Sequence, residues 1–162
     1  MIVDTIASEA GASFSKQLSV ANVAKLLTPD SEILIAKSLG YMNLSGGPVS
    51  KLARKFDIPL ERVVVVHDEL DLDFGTIRIK AGGGHAGHNG LRDISAALGP
   101  DYIRVRFGIS RPKGDPAKYV LQNFSKTEQT QLPALIEDAA LAAIDIPLQG
   151  LTASQQKWNS LT

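Results

Sequence analysis

Nine consecutive residues, Gly82-Gly83-Gly84-His85-Ala86-Gly87-His88-Asn89-Gly90, gather five glycines, two imidazoles and a carboxamide into one short segment. Ordering a glycine costs roughly 0.5 to 1 kcal/mol more than ordering an alanine, so such a cluster suits a loop whose backbone approaches a ligand. A plain surface turn is the structural alternative. A second cluster, His67-Asp68-Glu69-Leu70-Asp71, follows the apolar run Val63 to Val66. Asp68 therefore falls at the carboxyl end of a strand, where open α/β sheets build their binding crevices. A carboxylate there can orient a histidine and stabilise its protonated form during general-base catalysis, or it can simply form a turn. His67 faces the other way and reads as a structural or rim residue. In Tyr41-Met42-Asn43-Leu44-Ser45-Gly46-Gly47, Asn43 either caps the following helix or offers a donor and an acceptor to a substrate carbonyl or amide. Asn89 poses the same choice at its own helix start. Two asparagines, an aspartate and a histidine together suit a site that reads peptide-like or ester groups.

Metal chemistry fits these residues less well. The acidic run lacks calcium-loop spacing, with Phe74 where a glycine would fall and no closing glutamate. His85 and His88 lie in a loop rather than on one helix face, which disfavours zinc. The chain has no cysteine, which excludes disulfides, thiolate ligands and a cysteine nucleophile. Its 17 basic residues balance 17 acidic ones, so any contact with nucleic acid must come from a local basic patch. No apolar run approaches the roughly 18 residues of a membrane span, and no signal-type segment opens the chain, so a cytoplasmic location is expected.

The elements that must position these groups alternate between short apolar runs and helical periodicity, the pattern of an α/β domain. Strands are predicted at Ile33 to Ala36, Val63 to Val66, Ile77 to Lys80 and Tyr102 to Ile109. The four consecutive valines imply a central strand buried on both faces. In the last strand Ile103, Val105 and Phe107 share one face, and Tyr102, Arg104 and Arg106 form a basic one. Helices are predicted at Ile2 to Glu9, Pro48 to Phe56, Asn89 to Leu98 and about Thr127 to Ile144, the last with capping-box spacing from Ser125 to Glu128. Pro147 and Gly150 are expected to break that helix. With 162 residues and no linker-like or repetitive segment, the chain reads as a single domain spanning 1–162.

The four motifs Tyr-Met-Asn-Leu-Ser-Gly-Gly, His-Asp-Glu-Leu-Asp-Leu-Asp-Phe-Gly, Gly-Gly-Gly-His-Ala-Gly-His-Asn-Gly-Leu-Arg and Arg-Val-Arg-Phe-Gly-Ile-Ser-Arg-Pro, in this order, resemble those of bacterial peptidyl-tRNA hydrolase. The resemblance implies a twisted mixed sheet flanked by helices, and hydrolysis of the ester joining a peptide to the 3′ end of tRNA by a cytoplasmic monomer without metal or cofactor. It implies that Asp68 orients the catalytic histidine, that Tyr41, Asn43 and Asn89 contact the peptidyl or 3′-terminal part of the substrate, and that His88 supports binding in the cleft. Lys80 and Arg106 match basic positions associated with tRNA phosphate, a patch that Arg78, Arg104, Arg111 and Lys113 would extend. The same resemblance puts a first strand, a Gly-Asn-Pro-Gly segment and the catalytic histidine ahead of Met1. The first central strand is therefore expected to be missing, and the chain as written weakly active or inactive, since loss of a general base removes about 10² to 10⁴ in rate. The alternatives are a non-catalytic RNA-binding protein on the same scaffold and, ranked last, a metallohydrolase using His85 and His88.

Overall fold

A computed structural model describes residues 1–161. Helix α1 (Ile2–Glu9) precedes three strands, β1 (Ser15–Gln17), β2 (Ala21–Leu27) and β3 (Glu32–Ser38), which form an antiparallel sheet in the order β1-β2-β3. A 3-10 turn (Met42–Leu44) leads into α2 (Gly46–Lys55), and β4 (Val64–Glu69) and β5 (Ile77–Ala81) follow. Next come α3 (Asn89–Leu98), β6 (Ile103–Gly108), the short α4 (Pro116–Tyr119), and the two C-terminal helices α5 (Lys126–Gln149) and α6 (Leu151–Asn159).

The second sheet has the order β4-β6-β5. The Ile103 amide donates to Val63 O at 2.9 Å and that of Ile109 to Glu69 O at 3.0 Å, so β4 and β6 advance together and are parallel. Gly82 donates to Tyr102 O at 2.9 Å and Gly108 to Thr76 O at 2.8 Å, a pairing in opposite directions that makes β5 antiparallel to β6. The expected α/β class with a mixed sheet is therefore observed.

Two expectations about these strands are corrected. The valine run was expected to be buried on both faces, yet β4 stands at the edge of the described sheet, and Val64, Val65 and Val66 are only half-buried. Conversely, β6 has no solvated basic face. Tyr102 is 0 % exposed and Arg104 3 %, because β6 is the middle strand and both its faces are covered. An alternating sequence indicates which side chains share a face, and sheet position decides whether that face meets water.

The chain forms two compact units. The first takes in Val3–Val65 and Ala81–Ile103. Its packing centres on Ala21, Val23 and Leu52, and on a cluster of Leu91, Ile94 and Tyr102 that sets α3 against Val63 and Val65. The buried Tyr102 hydroxyl donates to Leu91 O at 3.3 Å and shares a hydrogen bond with Ser95 Oγ at 3.0 Å. Lys37 Nζ, 2.5 Å from Asp4 Oδ1, ties β3 to α1 and holds the Asp4 carboxyl below its ordinary value of 3.8. This contribution is present above the ordinary value and is lost as the pH falls through the lowered one.

The second unit contains Val66–Lys80 and the chain from Arg104. Phe74 meets Phe107 edge-on at 6.3 Å between centroids and Phe124 at 5.8 Å. Helix α5 begins with the expected capping box, Ser125 and Glu128 exchanging side chain-to-backbone bonds. It does not stop at Pro147 but runs through it to Gln149, ending where Gly150 takes φ 91°. An internal proline costs about 3 kcal/mol, which the burial of Ala139, Ala140, Ala142, Ala143 and Ile146 offsets. Asp145, 7 % exposed, accepts from Trp158 Nε1 and Lys157 Nζ, each at 2.8 Å, and so locks α6 onto α5. The Asn159 carboxamide then bonds both the N–H and the C=O of Ile79, at 2.8 and 3.0 Å, completing the outer edge of β5 as a neighbouring strand would.

A β-carbon on Gly108 would run into the Asp73 carbonyl and the Leu72 side chain. Gly108→Ala is therefore expected to lower stability by about 1 to 3 kcal/mol in urea unfolding, the usual range for overpacking.

Candidate active site

In the first unit, the turn carrying Asn43 is closed by the Leu44 amide donating to Tyr41 O at 2.9 Å, and both Tyr41 and Asn43 are exposed. Asn43 is not the cap of α2. Ser45 holds the N-cap position without a side-chain cap bond, and the first helical amide, Gly46 N–H, donates to Asp93 Oδ2 at 2.7 Å. Nor does Asn89 cap α3: it is the first helical residue and is exposed, and His88 is the cap. Each asparagine thus keeps its carboxamide free of the capping role. The turn bearing Asn43 also packs on α3, which Asn89 opens, so the structure brings these two residues onto adjoining elements.

The glycine loop is ordered by local bonds. His88 N–H donates to His85 O at 2.8 Å across a turn in which Ala86 and Gly87 take φ 47° and 81°. Both central residues are left-handed, which suits Gly87 and strains Ala86. His85 Nδ1 accepts from Gly87 N–H at 3.1 Å, and His88 Nδ1 accepts from Leu91 N–H at 3.2 Å. A ring nitrogen that accepts an amide hydrogen carries no proton, so both neutral rings are protonated at Nε2. His67, 6 % exposed, has the opposite tautomer, its Nδ1 donating to Asp68 O at 2.7 Å.

In the second unit, Asp68 is the penultimate residue of β4 and is half-buried, opposite in facing to buried His67. Lys80 is exposed on β5. Arg106 on β6 is committed to an ion pair, its Nε 3.0 Å from Glu69 Oε2 with both side chains largely shielded. The wider basic patch is smaller than expected. Arg104 is buried, Arg78 donates to Leu161 O at 2.8 Å, and Arg111 pairs with Asp71 at 2.5 Å, whereas Lys113 is exposed. Among the described residues, no three His, Asp or Glu side chains converge as a cation site.

Asp93 escaped the sequence reading. It lies one residue beyond the last motif residue of its segment, Arg92, and its signal is the four-residue spacing from Asn89, which puts both on one helix face.

A profile for peptidyl-tRNA hydrolase matches residues 1–162. The chain belongs to the peptidyl-tRNA hydrolase family. It is 46% identical over 170 residues to the peptidyl-tRNA hydrolase of Kineococcus radiotolerans, covering 99% of this chain and 86% of that one. It is 47% identical over 165 residues to that of Arthrobacter sp. (strain FB24), covering 99% and 85%. Among solved structures, the fold matches the crystal structure of peptidyl-tRNA hydrolase from Acinetobacter baumannii with a TM-score of 0.89 at 28% identity, over 98% of this chain and 82% of that one. A crystal structure of a peptidyl-tRNA hydrolase in complex with N-propanol matches with the same TM-score at 30% identity and the same coverage.

If the Nδ1 cap is what His88 contributes to folding, His88→Ala should lower stability by about 1 kcal/mol and His88→Asn should recover most of it, as measured by denaturant midpoint.

Proposed function

We propose that this chain acts, as a single cytoplasmic domain and a monomer, on the ester that joins a peptide to the 3′ end of tRNA. Membership of the family supports the reaction class. The observation that carries the reading to particular residues is the pair of exposed carboxamides, Asn43 and Asn89, on elements packed together in one unit. A carboxamide can donate to a carbonyl and accept from an amide at once, which suits a peptide backbone or the terminal nucleotide. Tyr41 adds an exposed aromatic face beside Asn43, and His88 a ring whose neutral form is protonated at Nε2.

The reaction adds water across the ester. A general base takes a proton from water, the resulting oxygen attacks the ester carbonyl carbon, and the bond to the ribose 3′ oxygen breaks. That oxygen then takes a proton, giving a free peptide carboxylate and a free tRNA 3′ hydroxyl. In this scheme Asp68 orients the histidine that serves as base. Among the three histidines of this chain, His67 is buried, and the Nδ1 lone pairs of His85 and His88 are occupied by backbone amides. With these partners in place none of the three is ready to accept a proton, so slow turnover of peptidyl-tRNA by this chain is the expected outcome. Lys80 and Arg106 serve the tRNA phosphates, Arg106 in competition with its Glu69 partner.

The test is hydrolysis of a defined peptidyl-tRNA alongside its binding. Asn43→Ala and Asn89→Ala are each expected to weaken binding of peptidyl-tRNA by about tenfold or more, the usual loss for a charge-neutral polar anchor, while leaving binding of deacylated tRNA little changed. Equal binding of both tRNAs by the unsubstituted chain would instead favour an RNA-binding protein with no interest in the ester.

For Lys80, the expected signature is in salt dependence. Lys80→Ala should flatten the slope of log affinity against log salt concentration by about 0.7 to 0.9, the value of one phosphate contact.

A further inference from the structure

We infer that Asp93 is a positioning residue that fixes the distance between Asn43 and Asn89 by clamping the amino end of α2 to α3. The inference rests on the reading of those two asparagines as the substrate-binding pair. Helix α2 opens with Gly46 and Gly47 and receives no cap from the Ser45 side chain. Its first amide is taken by Asp93 Oδ2 at 2.7 Å, from a residue 47 positions further along the chain. This bond is short and charge-assisted, and the carboxylate sits at the positive end of the α2 dipole, where an anion is favoured.

The fit around the bond is close. A β-carbon on Gly46 would collide with the carbonyl group of Asp93 as well as with its carboxylate, so the two backbones meet at a distance that only glycine permits. Gly46 is buried and Ser45 is 8 % exposed, whereas Asn43, three residues upstream, is exposed. The joint is thus rigid and shielded, and the turn it anchors reaches into solvent.

On the other side of the joint, Asn89 and Asp93 are four residues apart in α3 and project from the same face, about 6 Å apart along the axis. One helix face therefore carries a carboxamide aimed at solvent and, one turn on, the clamp that holds the second carboxamide's turn. Set in this way, the pair is preorganised for a ligand that needs both, and the ordering cost is met in folding rather than in binding. Neither the resemblance nor the motif assigns Asp93 any such role.

A double-mutant cycle tests the inference, using as probe a non-hydrolysable 3′-(N-acetylaminoacyl)amido-3′-deoxyadenosine measured by titration calorimetry. Asn43→Ala and Asp93→Ala should each weaken binding by about tenfold, and the double variant should be no weaker than Asn43→Ala alone. Asp93→Asn should bind nearly as the parent, because its carboxamide oxygen can still accept the Gly46 amide. Asp93→Ser, a milder change that shortens the reach, keeps the test open if Asp93→Ala does not fold, and should show the same non-additivity with a smaller loss. Additive losses, or full binding by Asp93→Ala or Asp93→Ser where Asn43→Ala has lost it, would overturn the positioning role and leave the functional reading standing. Failure of the unsubstituted chain to bind the probe would overturn both.

Discussion

The close approach of α2 to α3 is the constraint on which the candidate site depends. At this point a glycine amide meets a carboxylate with no room for a β-carbon, and the exposed turn just ahead of Gly46 is anchored by that contact. Few residues satisfy it. Position 46 must lack a side chain, position 93 must offer an acceptor of the right length, and α3 must bury Leu91 and Ile94 to hold its azimuth. The apolar face of α3 thus fixes its rotation, rotation aims Asp93 and Asn89, and Asp93 sets the turn bearing Asn43. Packing and polar geometry are a single determinant here.

Histidine chemistry in the loop illustrates the same economy. An imidazole that caps a helix through Nδ1 is fixed in one tautomer, so its contribution to folding decides what it can do to a ligand. His88 becomes a donor in its neutral form, suited to binding rather than to proton abstraction. His67 takes the opposite tautomer because its nearest partner is a carbonyl. Composition distinguishes none of these states, since each depends on one backbone partner within three residues.

Much of this architecture was legible in the sequence, and the failures have physical reasons. Helices α1 and α3 were read with their observed bounds, because periodic apolar residues and a following glycine or turn define such helices locally. The capping box of α5 was read for the same reason, and its continuation through Pro147 was not, because tertiary burial overrode a local breaker. Strands β1 and β2 have no such local pattern: β1 is three residues long and polar and is defined by its pairing with β2, and β2 in turn by its pairing with β3. The basic face expected on β6 failed because alternation specifies sides and not exposure. Of the candidate residues, Tyr41, Asn43, His88 and Asn89 stand out by type and motif as candidates, and the structure adds that Asn43 and Asn89 lie on elements packed together. Asp93 was missed because its one local signal, the four-residue spacing from Asn89, says nothing of the backbone amide that it meets 47 residues away.

The central claim, that the Asn43 and Asn89 side chains belong to one ligand-binding surface, is most directly checked by following their carboxamide NH₂ resonances in a ¹H–¹⁵N spectrum during titration with the amide analogue of the peptidyl-tRNA 3′ end. The account requires both pairs of resonances to move along a single binding isotherm. Movement of one pair while the other stays in place at saturation would contradict it.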